Sequence, residues 1–504
     1  VNLEHYSRDS VLRGDGAKMC GIVGLIGSEP ANQAIYDSLL LLQHRGQDST
    51  GIATDESGIL HLRKARGYVR EAFRTRHMRS LLGRVGLGHV RYATQGSVSS
   101  EEEAQPFYVN APYGIAMVHN GNLTNASKLS KELFHTDRRH LNTSSDTEVL
   151  INVFANELQQ SVSGFELSPD QIFSAVSRVH KRVEGSYAVV ALIAGTGILA
   201  FRDPFGIRPL VLGARESKFT SNTEWIIASE SVVLEAQGYK LLRDFAPGEA
   251  VFITQQGEIF MTQCAQNPQL NPCAFEYVYL ARPDSVMNGV SVYEARLRLG
   301  DTLSTTIKQQ MPCGNIDVVM PIPDSSRPAA LQVSRNLGIE YREGFLKNRY
   351  VGRTFIMPGQ LQRKKSVRQK LNAMGLEFRG KNVLIVDDSI VRGTTSKEII
   401  HMARSAGANQ VFFTSAAPPV RYQNVFGINM PTSSELVAHN RQLQEIRQYI
   451  DADRLIYQSI EDMRRAIMHG GEFKRLEDSC FSGEYVTGRV TQEYLDWVEN
   501  TQSS

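Results

Sequence analysis

The chain of 504 residues contains only five cysteines, Cys20, Cys264, Cys273, Cys313 and Cys480, too scattered to form the dense disulfide framework of a small secreted fold. That scarcity points to a reducing, cytoplasmic setting. No apolar run approaches the roughly 20 residues that span a bilayer, which argues against membrane helices. Internal repeats of solenoid length and low-complexity tracts are also missing. Lys plus Arg number 55 and Asp plus Glu 53, so the overall charge gives no reason to invoke nucleic acid or an anionic membrane as a partner. Any strong field must be local. One local imbalance exists: the stretch from Lys347 to Leu376 has no acidic residue but holds Lys347, Arg349, Arg353, Arg363, Lys364, Lys365, Arg368 and Lys370.

The first eighteen residues have no initial methionine, no apolar core of secretory length and no transit-peptide composition. Residues 1–19 are therefore expected to be an extension missing from the mature protein, through a misassigned upstream start or a cleaved propeptide. Removal of Met19 would make Cys20 the first residue. One residue would then supply a thiol nucleophile and an α-amine, whose unperturbed pKa is about 7.7–8.0.

From Cys20 to about Val251 short β-rich segments, Ile22 to Ile26, Val85 to Tyr92, Tyr113 to His119 and Tyr187 to Phe201, alternate with helical patterns at Asn32 to Leu42 and Thr147 to Leu158. This predicts packed α+β layers. The second half reads differently. Lys381-Asn382-Val383-Leu384-Ile385-Val386-Asp387-Asp388-Ser389 is a buried-strand run ending in two acids, and Ile390-Val391-Arg392-Gly393-Thr394-Thr395 leads into a helix with Ile399, Met402, Ala403 and Ala406 on one face. Free N–H groups at such a helix start, with Ser and Thr hydroxyls, cradle phosphate. The acids suit sugar hydroxyls and Mg²⁺, or else merely cap the helix. Ile316 to Pro323 is another buried-strand run ending in a polar turn, Asp324-Ser325-Ser326-Arg327. The basic stretch between the two runs, with Gly352, Pro358 and Gly359, reads as a flap over polyphosphate, with a solvated basic face or a nucleic-acid contact as alternatives.

Five segments of the first half, Cys20-Gly21-Ile22-Val23-Gly24, Gln43-His44-Arg45-Gly46-Gln47-Asp48, Gly88-His89-Val90-Arg91-Tyr92, His119-Asn120-Gly121-Asn122-Leu123 and Thr143-Ser144-Ser145-Asp146-Thr147-Glu148, resemble the class II glutamine amidotransferases. The resemblance implies an N-terminal-nucleophile domain of layered αββα form. It also implies Cys20 as nucleophile, the Asn120 side chain and Gly121 N–H as oxyanion donors, and Arg91 with Asp146 as the pair that binds the glutamine carboxylate and ammonium. Taken alone, Asn120-Gly121 would read as a hairpin turn and Asp146 as a helix cap.

The Asp387-Asp388 string resembles the phosphoribosylpyrophosphate motif of type I phosphoribosyltransferases, an α/β fold with a parallel sheet. This implies that Asp387 and Asp388 hold the ribose hydroxyls, that Ser389, Arg392, Gly393, Thr394 and Thr395 hold the 5-phosphate, and that Ser326 stands near the metal with the two acids.

Together with Phe201-Arg202-Asp203-Pro204-Phe205-Gly206-Ile207-Arg208-Pro209-Leu210 and Phe275-Glu276-Tyr277-Val278-Tyr279-Leu280-Ala281-Arg282-Pro283-Asp284-Ser285, the two motif sets resemble the amidophosphoribosyltransferase family. The implied division is a glutaminase domain at 20–255 and a phosphoribosyltransferase domain with C-terminal helices at 256–504. The resemblance further implies glutamine and phosphoribosylpyrophosphate as substrates, one Mg²⁺ per subunit, feedback by purine nucleotides and a homotetramer. It assigns Lys347, Tyr350 and Arg353 to the flap. Part of this family carries a four-cysteine iron–sulfur cluster; here Cys273 and Cys480 match its ligand positions, but Asn424 and Glu477 occupy the others, so no cluster is expected. A hexosamine-forming amidotransferase would share the first half only. A phosphoribosylpyrophosphate-sensing regulator would not need the glutaminase set.

Overall fold

In the computed structural model, residues 19–92, 102–162, 164, 166–219, 222–347 and 371–503 are described. The strand Gly21–Ile26 shows how the first half is layered. Successive side chains point to opposite faces of a strand. Val23 and Leu25 join Ile35 and Leu39 of the helix Ala31–Leu41, whereas Ile22 and Ile26 meet Val118 and Val190 of a second sheet. Gly24 lies on this inner side, where an added Cβ would come within 2.6 Å of Val190 Cγ1, so the missing side chain allows the sheets to close.

Gly21–Ile26 is the centre of a seven-stranded antiparallel sheet, flanked by Val85–Arg91 and Thr223–Ala228. A six-stranded antiparallel sheet containing Ile115–Leu123, Gly185–Ile193 and Gly197–Arg202 packs against it. The helices Asp146–Ser161 and Pro169–Arg182 cover that sheet's outer face through Val149, Val153, Ile172 and Val176. The result is the layered αββα arrangement. Asn120 and Gly121 sit inside the continuous strand Ile115–Leu123, which replaces the hairpin-turn alternative. Asp146 begins its helix, but its carboxylate accepts from the Leu123 N–H at 3.1 Å, away from the helix's own end.

The second half contains a five-stranded parallel sheet in the order Glu340–Tyr341, Val318–Pro321, Asn382–Asp387, Gln410–Ser415, Arg454–Tyr457. Its central strand is buried on both faces, Val383 and Ile385 on one side and Leu384 and Val386 on the other, as the unbroken apolar run requires. The helices Arg327–Leu337 and Thr394–Ser405 follow two of these strands, so the intervening loops lie at carboxyl ends where ligands bind in such sheets.

The domain boundary needs correction. The strand Ile259–Gln263 pairs with Glu249–Thr254, so the first fold runs past residue 255 to Gln263. The halves also share a core: Met19 and Ile207 are buried with Phe275, Val278 and Phe426. Among the described residues, no helix is long and apolar enough to cross a membrane.

Candidate active site

Cys20 is buried, and its Sγ lies 3.6 Å from the Tyr92 carbonyl. Burial pushes the thiol up to about 11, against the opposing pull of the Tyr92 contact and the Arg91 and Arg45 charges. The Cys20 carbonyl accepts from Arg45 Nε at 2.9 Å. Arg45 then bonds Glu276 at 2.7 and 3.1 Å and Glu230 at 2.6 Å, while Arg208 stands 3.6 Å from Glu276. All four side chains are buried, and Glu230 also accepts from the Arg282 N–H and the Ser285 hydroxyl. Burial opposes ionisation of Glu230, but His44 and Arg45 outweigh it and hold the carboxyl below its ordinary range. Arg45, Arg208 and Glu276 belong to recognised segments, yet sequence reading assigned them no role. Their mutual charge complementarity was the available signal.

Asn120 is fully buried, and neither its Oδ1 nor its Nδ2 has a hydrogen-bond partner among the described residues. A buried amide left unsatisfied is costly, and its persistence suits a group aimed at a charge that develops during reaction. Gly121 has φ +152, and a Cβ there would lie 2.0 Å from the Ser186 carbonyl oxygen, so no other residue fits the position without displacement. Around this strand, His119 Nδ1 lies 3.8 Å from Asp146 Oδ2, its N–H donates to Gln105 Oε1 at 2.7 Å, and burial lowers its imidazole pKa. Arg91 Nη2 donates to Glu103 Oε2 at 2.9 Å, and Ser144 Oγ donates to the other Glu103 oxygen at 3.0 Å. Glu103 was not anticipated from sequence.

The second group of predicted residues gathers at the carboxyl end of the parallel sheet. Asp387 and Asp388 are adjacent, and burial together with mutual repulsion raises the Asp387 carboxyl well above its ordinary value. Asp388 accepts from the Ser325 and Ser389 hydroxyls, the latter at 2.8 Å. Gly393, at φ +73, caps the helix Thr394–Ser405, and Gly393, Thr395 and Ser396 line the same space. Arg392 pairs with Glu435 at 3.0 Å and Lys347 with Asp324 at 3.0 Å. Ser326 does not line this space: it is buried, and its hydroxyl donates to the Ile322 carbonyl. Ser325 lines the space and donates to Asp388. Tyr350 and Arg353, with most of the basic stretch, lie outside the described residues.

A cavity of about 1120 Å³ is lined by Asp387, Asp388, Ser325, Arg392 and Thr395 of the second half and by Met19, His44 and Arg45 of the first. Tyr279 to Asp284 line it between the halves. One cavity is therefore lined both by the loops at the carboxyl end of the parallel sheet and by the arginine that holds the Cys20 carbonyl.

The four positions considered for an iron–sulfur cluster also meet. Cys273 bridges Glu477 through the backbone, Asn424 Nδ2 donates to Glu477 Oε2 at 3.3 Å, and Cys480 lies in the helix Ser479–Ser482 immediately beyond. Burial raises the Cys273 thiol to about 12.

The glutamine amidotransferase domain family matches residues 89–236, and the phosphoribosyl transferase domain family matches residues 291–419. The amidophosphoribosyltransferase of Pseudomonas aeruginosa is 57% identical over 487 residues, 96% of each chain. The solved glutamine phosphoribosylpyrophosphate amidotransferase of Bacillus subtilis, complexed with ADP and GMP, is 36% identical with a TM-score of 0.81, covering 92% of this chain and 97% of that one. A structure described as the allosteric regulatory enzyme of purine biosynthesis is 35% identical with a TM-score of 0.84, covering 96% and 99%.

Proposed function

This chain belongs to the amidophosphoribosyltransferases, which convert glutamine, phosphoribosylpyrophosphate and water to 5-phosphoribosylamine, pyrophosphate and glutamate in the first committed step of purine synthesis, and from that premise we propose which residues carry its two half-reactions. Cys20 Sγ attacks the glutamine carboxamide carbon, with the Asn120 amide and Gly121 N–H receiving the oxyanion. Ammonia departs, and water cleaves the thioester to glutamate. The thiol proton passes to the Cys20 α-amine and then to the leaving nitrogen, which requires removal of residues 1–19. Arg91 and Asp146 bind the two charged ends of glutamine, in place of some contacts they now make with Glu103 and Leu123.

In the second half-reaction Asp387 and Asp388 orient the ribose, while Ser389, Arg392, Gly393, Thr394 and Thr395 bind the 5-phosphate. Lys347, Tyr350 and Arg353 close over the pyrophosphate. Ammonia attacks the ribose C1 as pyrophosphate leaves, and the new amine loses a proton. Two adjoining carboxylates and the Ser325 hydroxyl are hard oxygen donors, a set that fits Mg²⁺. When bound there, Mg²⁺ supplies charge neutralisation for the departing pyrophosphate. Cys273, Asn424, Glu477 and Cys480 do not fit a four-thiolate cluster, and Asn424 and Glu477 are already bonded to each other. The ADP and GMP bound to the Bacillus relative support purine-nucleotide feedback. A cytoplasmic homotetramer is the assembly we propose.

The shared cavity carries the coupled reading. Ammonia released to bulk water at neutral pH would be mostly protonated and lose its nucleophilicity, so a space shared between the halves favours direct transfer between sites. Replacing Cys20 by Ala should abolish glutamine-dependent synthesis and leave synthesis from added ammonia intact. Equal loss of both activities would overturn the two-site assignment.

A further inference from the structure

Residues 424–428 reach back from the second half and settle on the strand that carries Asn120 and Gly121. The Val425 carbonyl accepts from Asn122 Nδ2 at 2.8 Å, and the Phe426 carbonyl accepts from Ser186 Oγ at 2.8 Å. Gly427, at φ +96, lies so close that a Cβ on it would be 2.7 Å from the Gly121 carbonyl carbon. Gly121 is therefore enclosed by the Ser186 carbonyl and by Gly427.

One side chain shapes this turn. Asn424 Oδ1 accepts from the N–H groups of Phe426 at 2.9 Å and Ile428 at 3.2 Å, and its Nδ2 donates to Glu477 Oε2 at 3.3 Å. Glu477 is anchored in turn: its Oε1 accepts from the Ser479 N–H at 3.0 Å and from the Ser479 hydroxyl, and its carbonyl accepts from the Ala274 N–H at 2.9 Å. Both side chains are buried.

We propose that Asn424 and Glu477 are positioning residues for glutamine hydrolysis, acting through the 424–428 turn to fix the strand of Asn120 and Gly121. The proposal rests on the assignment of those two residues to the oxyanion hole. The physical ground is the narrow tolerance of preorganised donors: they act only where the developing oxygen sits, so a small displacement of their strand lowers kcat. Glutamine binding rests on Arg91 and Asp146, so KM should move little.

Asn424→Asp tests this directly. It keeps an acceptor for Phe426 and Ile428 but turns a second carboxylate towards Glu477, which drives the pair apart. Loss of one whole oxyanion donor costs about 10²–10³ in kcat, so displacement of the strand should lower glutamine-hydrolysis kcat by about tenfold. KM and ammonia-dependent synthesis should stay near the parent values. The double variant Asn424→Asp, Glu477→Gln restores the hydrogen bond with donor and acceptor exchanged at unchanged total charge, and should recover kcat to within about threefold.

An unchanged kcat in Asn424→Asp would overturn the proposal, as would failure of the double variant to recover while its ammonia-dependent synthesis remained normal. If Asn424→Asp does not fold, Glu477→Gln alone decides, because it sets two donors face to face: a kcat loss with normal KM supports positioning, and an unchanged kcat refutes it. Asn120→Ala separates the two levels. Full kcat in that variant rejects the oxyanion assignment itself, whereas a large loss there beside an unaffected Asn424→Asp rejects only the positioning role.

Discussion

Asn120→Ala should make the protein a poorer glutaminase without making it a weaker fold, an opposition that follows from the residue's surroundings. Both polar atoms of the side chain are buried without partners among the described residues. Burying an unsatisfied amide costs about 1–3 kcal/mol, and alanine removes that cost while giving up some packing of the deleted atoms. The two effects oppose, so stability should change by less than about 1 kcal/mol or rise slightly. The transition state loses far more: one preorganised oxyanion donor is worth about 2.7–4 kcal/mol, or roughly 10²–10³ in kcat. The assays are glutamine-hydrolysis kcat, ammonia-dependent phosphoribosylamine synthesis and thermal unfolding of the same preparation. The expected result is a collapse of the first, an unchanged second and an unchanged or slightly raised Tm. A Tm lowered by many degrees with kcat preserved would show that Asn120 is a structural residue with partners formed in solution.

Two further outcomes follow from other buried charges. Burial, and then Asp388, raise the Asp387 carboxyl, so the ligand-free native state holds this proton more tightly than the unfolded chain does; stability from this group is greatest below the unfolded pKa of about 3.9 and is lost as pH rises through the native value. Asp387→Asn should therefore melt higher than the parent at pH 8, with the difference vanishing towards pH 4, while both synthetic activities fall; a lower Tm at pH 8 would contradict this. Arg45→Ala leaves Glu230 and Glu276 buried with fewer cations and should destabilise by about 3–5 kcal/mol in urea unfolding, with only partial rescue by Lys because an ammonium cannot span a carbonyl and two carboxylates; a shift below about 1 kcal/mol would refute the network's importance.

Local chemistry was the most legible part of the chain. Asp387 and Asp388 follow an uninterrupted apolar strand, and that strand lies at the centre of the parallel sheet with the acids at its carboxyl end. The β-rich segment Tyr187 to Phe201 is two paired strands joined at Gly195-Thr196-Gly197, where glycine allows the positive φ angles of +70 and +157. Asn120-Gly121 was ambiguous as a dipeptide, since a turn and an interior strand use the same letters; the packing of Ser186 and Gly427 resolves it. Sequence alone does not say how the neighbouring hydroxyls Ser325 and Ser326 divide their bonds, because that depends on the turn's backbone: Ser325 donates to Asp388 and Ser326 to the Ile322 carbonyl. Glu103 opposite Arg91, and Glu276 opposite Arg45, are tertiary pairings between segments whose own sequences do not name the partner. The boundary after 255 failed because a two-stranded turn ends in one more strand before the next fold begins.

The Arg45–Glu276 ion pair has a consequence for modularity. Glu276 lies beyond the last strand of the glutaminase sheets, yet it neutralises the cation that grips the Cys20 carbonyl. A glutaminase fragment cut at its sheet boundary would lose that counter-charge and the shared burial of Ile207 against Phe275. Two recognisable folds are thus a single cooperative machine: the second supplies part of the ground on which the first stands, and neither could be exchanged like a cartridge without rebuilding the seam.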